Sequence, residues 1–263
     1  MPFHKSLQMS KDDSGVTNPL TWLVSSNGDL VRSFLAEFIG TAILVIFTCG
    51  TCTATSQNPD TLVSTALSFG LTVACLVFTL GHVSGCHINP AVTIGLLVNG
   101  QINLIRSIVY MIAQLTGGIA GAGLLHVILK DSKSNLCATA LKVDPIQGII
   151  VECLICFLLV LTVCNVCQSN PEIAPIIIAL AVTTGHLFAI PLTSSSMNTA
   201  RSFGPAVIAN FWDHHWVYWV GPLLGGALGG FFHRYIFINK SIYDQCETSS
   251  KANDETPNVT TSI

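Results

Sequence analysis

Two acidic residues, Glu37 and Glu152, stand inside long apolar stretches of this chain, and His186 stands inside a third. A charged group at the centre of a hydrocarbon layer costs at least about 2.5 kcal/mol unless it finds a partner, so each such residue implies a partner and a task. Two asparagines, Asn89 and Asn198, follow Gly- or Ser-rich loops and open short apolar stretches, in the sequences HINPA and SMNTA. Asparagine suits the start of a helix because its side-chain oxygen accepts from free backbone N–H groups, and a proline just after it has the required torsion preset. No nucleotide-binding loop, no paired catalytic carboxylates and no ion-coupling cluster occur, so no enzyme chemistry, cofactor or metal is expected. Ten cysteines include three CxxC pairs, Cys49 with Cys52, Cys153 with Cys156 and Cys164 with Cys167. Most of the ten fall in apolar segments, where they read as small buried side chains at helical spacing and not as a disulfide framework or a redox site.

The elements that must position these residues follow from composition. Of 263 residues, 50% are hydrophobic and only 10% charged, with a mean hydropathy of +0.62. Soluble domains carry about 25% charged residues, so this chain is expected in a lipid bilayer. A net charge of -3 and a pI near 6.2 provide no basic field for nucleic acid. A membrane helix needs about 20 mostly apolar residues, and six such spans are predicted at 34–55, 62–80, 104–129, 148–168, 173–191 and 216–238. The two apolar stretches at 89–99 and 198–210 are half that length and cannot cross alone. Irregular backbone at membrane depth is tolerated only where protein or a water-filled cavity satisfies it, so two broken helices point to a polar pathway.

The chain also repeats itself. AEFIGTAILVIF from Ala36 resembles VECLICFLLVLT from Val151, which places Glu37 and Glu152 at matching positions. YMIAQLTGGIAGAGLL from Tyr110 matches YWVGPLLGGALGGFF from Tyr218, aligning Gly117, Gly118 and Gly121 with Gly225, Gly226 and Gly229. Each half holds three spans and one half-helix, so the second copy is inverted relative to the first. The half-helices then come in from opposite faces, and Asn89 and Asn198 meet near the midplane.

Seven Lys and Arg residues (Lys5, Lys11, Arg32, Arg106, Arg234, Lys240, Lys251) fall on the side of the termini, against Lys130, Lys133 and Lys142 on the other. The inequality predicts cytoplasmic termini. Asn239 and Asn258 open glycosylation sequons that such a topology keeps unmodified. No removable signal peptide is expected at the N-terminus.

GHVSGCHINPAV at Gly81–Val92 and SSSMNTARSFGPAV at Ser194–Val207 resemble the two Asn-Pro-Ala boxes of the aquaporin family, and the likeness extends over nearly all of 34–238. The resemblance implies an all-α membrane protein with six transmembrane helices plus two re-entrant half-helices in an inverted repeat. Repeat one covers 34–129 and repeat two 148–238 of a channel domain at 34–238, flanked by cytoplasmic tails at 1–33 and 239–263. It implies a passive water channel with Asn89, Pro90, Ala91, Asn198, Thr199 and Ala200 at the pore midplane. Thr199 departs from the family's usual proline, which loosens the expected helix start. Phe69, His186, Ser195 and Arg201 take the offsets of the family's outer selectivity filter. Ser202, Ala206, Tyr218 and Trp219 stand where glycerol-conducting members carry other residues. Glu37 and Glu152 are expected to support the re-entrant loops. Cys86, matching Ser195 across the repeat, is expected beside the pore, where a mercurial would reach it. A plasma-membrane homotetramer with water as permeant, lipid as surroundings and no nucleic-acid partner completes the expectation. The alternatives are a broader pore for hydrogen peroxide, glycerol, urea or ammonia, and an ion-conducting or junctional role.

Overall fold

The computed structural model describes residues 27–56, 60–129 and 136–237. Lys5, Lys11, Lys130, Lys133, Lys240, Lys251 and both sequons lie outside them.

Among the described residues eight α-helices run in chain order: α1 Asn27–Ala54, α2 Thr61–Ser84, α3 Pro90–Asn99, α4 Leu104–Ile128, α5 Pro145–Ser169, α6 Ala174–Thr193, α7 Thr199–Ala209 and α8 Val217–Phe232. Five of them, α1, α2, α4, α5 and α6, are long and apolar enough to cross a membrane. The sixth span, α8, has 16 residues and continues directly into a π-helical turn, His233–Phe237. Helix α1 begins at Asn27, upstream of the apolar run starting at 34, with Asp29 in its first turn where an anion complements the helix dipole. Helix α5 likewise starts early: Asp144 accepts from the Ile146 amide, Gln147 reaches back to the Asp144 amide, and Pro145 fills the first position.

Large apolar side chains such as Phe47, Leu71, Phe78 and Ile176 are exposed on the outside, while Glu37, Gln114, Glu152, His186 and Arg201 are buried. This inversion of the water-soluble pattern suits a surface bathed in lipid. Within each repeat the first span packs on the third, α1 on α4 and α5 on α8, and α2 meets α6 across the repeats. The half-helices cross over: α3 docks on α8 and α7 on α4. Glycines make that docking possible. A Cβ at Gly118 of α4 would run into the Ala200 carbonyl, and one at Gly226 of α8 into the Ala91 carbonyl. Gly117 and Gly225 face the carbonyls of Phe38 and Cys153 in the same way, so the aligned glycines do the same packing in both halves.

One cysteine reading is corrected. Cys52, in the last turn of α1, forms a disulfide with Cys137 in the loop after α4, 85 positions away, with Cα atoms 6.0 Å apart. Helical spacing to Cys49 carried no sign of this, because the partner comes from another segment. Cys49, Cys156 and Cys164 are buried free thiols within the helices, as the packing reading expects, whereas the free thiol of Cys153 is half-buried and that of Cys167 is exposed.

Candidate functional site

The two re-entrant loops have nearly the same backbone. Gly85, Cys86 and Ile88 have φ of 87°, 51° and 43°, and Ser194, Ser195 and Met197 have 61°, 49° and 52°. Left-handed torsions at non-glycine residues cost of order 1–3 kcal/mol each and persist only where neighbours hold them. The two intramembrane carboxylates do this. Glu37 accepts from the backbone N–H of His87 (2.9 Å) through Oε1 and of Ile88 (2.6 Å) through Oε2. Ser84 Oγ (2.6 Å) and Gln114 Nε2 (2.8 Å) donate to the same two oxygens. Glu152 accepts from Ser196 N–H through Oε1 and Met197 N–H through Oε2, both at 2.8 Å, with Thr193 Oγ1 adding a third donor at 2.6 Å. Buried loop amides are thereby satisfied, and among the described residues no cation lies within ion-pair distance of either carboxylate.

The loops deliver Asn89 and Asn198 in extended conformation, φ and ψ of -157° and 120° against -156° and 110°. Asn89 Oδ1 accepts from the Ala91 amide (2.8 Å), just past Pro90. Asn198 Oδ1 accepts from Ala200 (2.9 Å) and Arg201 (3.2 Å). Helix α7 thus opens at Thr199 as α3 opens at Pro90, and two caps do what one cap and a ring do in the other half. Thr199 is fully buried and its hydroxyl has no protein partner.

The amide nitrogens face each other's loops. Asn89 Nδ2 donates to the Met197 carbonyl and Asn198 Nδ2 to the Ile88 carbonyl, both at 2.8 Å. The half-helices therefore meet tip to tip, and a side-chain amide has two N–H groups. One is spent on the opposite loop, which orients the other.

Beyond Asn198 the structure gathers Phe69, His186 and Arg201. The Phe69 and His186 rings stack with centroids 3.8 Å apart and 26° between planes, and the Arg201 guanidinium carbon lies 5.2 Å from the Phe69 centroid. Ser195 stands on the loop leading to Asn198. All four are buried, at 3% or less exposure. His186 Nδ1 lies 2.9 Å from the Val182 carbonyl, which can only accept, so Nδ1 carries the proton. In the neutral ring Nε2 is then an acceptor. His186 Nε2, Ser195 Oγ and Arg201 Nε all lack a protein partner. Buried polar atoms are ordinarily hydrogen-bonded, so these three keep hydrogen-bonding capacity that no protein group meets.

Arg201 depends on a residue that sequence reasoning missed. Its Nη1 donates to the Cys137 carbonyl at 2.9 Å and its Nη2 approaches Cys137 Sγ at 3.3 Å. Cys86 is 5% exposed, between Gly85 and the Glu37-bound amides, and takes the place in its loop that Ser195 has in the other. Ser202, in the first turn of α7, donates to Ser196 Oγ of the second loop at 2.6 Å, and Tyr218 donates to the Thr193 carbonyl at 2.9 Å. Ala206 is buried in α7. Among the described residues no cluster of His, Cys, Asp and Glu could hold a metal ion.

Comparison with known proteins agrees with this geometry. A family model described as Major intrinsic protein matches residues 24–233. The chain is 41% identical over 220 residues to Aquaporin-5 of Homo sapiens, covering 81% of this chain and 83% of that protein. It is 42% identical over 217 residues to Aquaporin-4 of Mus musculus, covering 78% and 67%. Its fold is similar to the X-ray structure of an aquaglyceroporin from Plasmodium falciparum, with a TM-score of 0.73 at 22% identity over 82% of this chain and 99% of the other. At that identity the likeness concerns the fold alone.

Proposed function

The chain belongs to the major intrinsic protein family, the aquaporins, and from that premise we infer how its geometry conducts water passively across a membrane. The observation that carries the mechanism is the reciprocal bonding of Asn89 and Asn198 to the opposite loops, which brings two helix N-termini together. Each N-terminus has roughly half an elementary positive charge. A water at that point has its oxygen held by the two remaining amide N–H groups and its hydrogens turned away, in opposite senses above and below. Proton hopping along the file is interrupted and cations are repelled.

Phe69, His186, Ser195 and Arg201 are the selectivity filter in this reading. Arg201 supplies donors and a fixed positive charge, neutral His186 supplies an acceptor at Nε2, and Phe69 closes the remaining side with an apolar wall. Water is both donor and acceptor and fits that set. The reading is a channel with no enzymatic step, formed by the domain at 34–238 with polar tails at 1–33 and 239–263. Helix α1 extends back to Asn27, into the first of them.

Cytoplasmic termini and a plasma-membrane homotetramer belong to the same proposal. Disulfides persist on the oxidising side of a membrane, which supports placing the Cys52–Cys137 end outside. Arg32, Arg106 and Arg234 at the opposite end favour the same orientation.

The test is stopped-flow light scattering on proteoliposomes holding wild type, Arg201→Ala or His186→Ala. Wild type is expected to pass water and exclude glycerol and urea, and both variants to admit urea. A wild type that passes glycerol as readily as water would establish the broader solute pore instead, and a current carried by wild type under voltage clamp would establish ion conduction.

A further inference from the structure

The filter arginine has an unusual anchor. Among the described residues no carboxylate lies within ion-pair distance of Arg201. Both contacts of its guanidinium nitrogens go to one residue, Cys137, through the carbonyl oxygen at 2.9 Å and the sulfur at 3.3 Å. That residue is the one covalently joined to α1 through Cys52. Its backbone is not at rest: Leu136 and Cys137 both have left-handed torsions, φ of 54° and 55°. Two successive non-glycine residues in that region keep it only while the surroundings impose it. On its far side the segment is tied to the end of α6, where Ser194 Oγ donates to the Ala140 carbonyl (3.0 Å) and Lys142 N–H donates to the Leu192 carbonyl (2.9 Å). On its near side the disulfide joins it to α1, and Leu136 packs with Val45, Cys49, Ala122 and Leu125.

We propose that the Cys52–Cys137 disulfide is a positioning element of the selectivity filter: the closed bond holds the Cys137 carbonyl and sulfur against Arg201, and opening it loosens the arginine and lets larger neutral solutes pass. This rests on reading Arg201 as a filter residue. The two cysteines touch no permeant and act only through Arg201. Opening the bond takes an external dithiol. One of its thiolates attacks a bridge sulfur, its second sulfur closes a cyclic disulfide, and two electrons with two protons leave Cys52 and Cys137 as thiols. The loop then keeps its α6 contacts but loses its covalent tie to α1, and the left-handed pair can relax. Solute selectivity therefore follows the redox state of the compartment at that end of the channel.

The experiment measures urea and water permeability of proteoliposomes for wild type before and after dithiothreitol, for Cys52→Ser, which leaves the Cys137 backbone acceptor in place, and for Arg201→Ala. Mass-tagging of the thiols and a thermal melt accompany each. Reduced wild type and Cys52→Ser are expected to show the urea-to-water ratio raised by roughly tenfold, as for the loss of one hydrogen bond to a charged group. Dithiothreitol should change nothing further in Cys52→Ser. A ratio unchanged although tagging shows the bridge open would overturn the positioning role, even if the melting midpoint falls, because a purely structural bond moves stability and not selectivity. Two free thiols at Cys52 and Cys137 in the untreated protein would overturn it as well. If Arg201→Ala raises the ratio and reduction does not, the filter stands and the positioning role falls. If Arg201→Ala leaves the ratio unchanged, the filter reading fails with it.

Discussion

Replacing Glu152 by Gln changes one atom of a buried side chain and should disable the second re-entrant loop. Both carboxylate oxygens accept from a backbone N–H, Oε1 from Ser196 and Oε2 from Met197, each at 2.8 Å. Whichever way the amide is turned, its NH2 group confronts one of these donors and leaves it stranded. A buried unsatisfied N–H costs about 1–3 kcal/mol, and the bonds that remain lose the strength that charge lends them, about 1 kcal/mol more. Removing a buried charge offsets part of this, which leaves a net loss of about 2 kcal/mol. For a chain of this size that corresponds to a melting midpoint lower by about 4–8 °C. The loss falls on Ser194, Ser195 and Met197, the residues with positive φ, so Asn198 is no longer delivered to the midplane. The assay pairs a tryptophan-fluorescence melt in detergent with stopped-flow water permeability normalised to protein content. Glu152→Gln should lower both. A variant that melts with wild type and conducts water at the wild-type rate would refute the support role of the carboxylate, and the argument for Glu37 with it.

Thiol chemistry separates the loops: Cys86→Ser should conduct water and lose sensitivity to mercuric chloride, and unchanged inhibition would place the reactive thiol elsewhere. Gly226→Ala drives a methyl group into the Ala91 carbonyl that α3 presents to α8, so it should cost more than 2 kcal/mol, read as loss of folded protein on size exclusion. Thr199→Pro should keep water permeability and raise the melting midpoint, since Asn198 already has the extended backbone that proline requires before it and caps the amides of Ala200 and Arg201, not that of Thr199. A lower midpoint would show that the Thr199 amide or hydroxyl has a role of its own.

The helices, and the starts of the two short ones, were legible in the sequence because their signals are local. Asn before a short apolar stretch identifies an end by chemistry within a few residues, and the observed α3 and α7 begin at Pro90 and Thr199, whereas α1 and α5 begin at Asn27 and Pro145, upstream of the apolar runs at 34 and 148. The inverted repeat was legible as well, since Glu37 with Glu152 and Gly118 with Gly226 carry the same task at the same offset. That Phe69, His186 and Arg201 would meet was implied by the resemblance of the two boxes to the family's, not by any spacing within this chain alone. Contacts between distant segments were not readable. Cys52 looked like half of a CxxC pair with Cys49, and nothing local says that its sulfur reaches Cys137.

From sequence alone came the bilayer as solvent, the doubled architecture and the polar residues that must lie inside it, because lipid penalises every unpaired charge and every unpaired backbone group. Tertiary structure alone decided which atoms those residues use: the crossed Asn89 and Asn198 amides, the orphaned His186 Nε2, and the Cys137 carbonyl that holds Arg201. A hydrogen bond requires its two atoms within about 3 Å and in line, and for residues separated by tens of positions in the chain only the packing of the helices between them sets that distance.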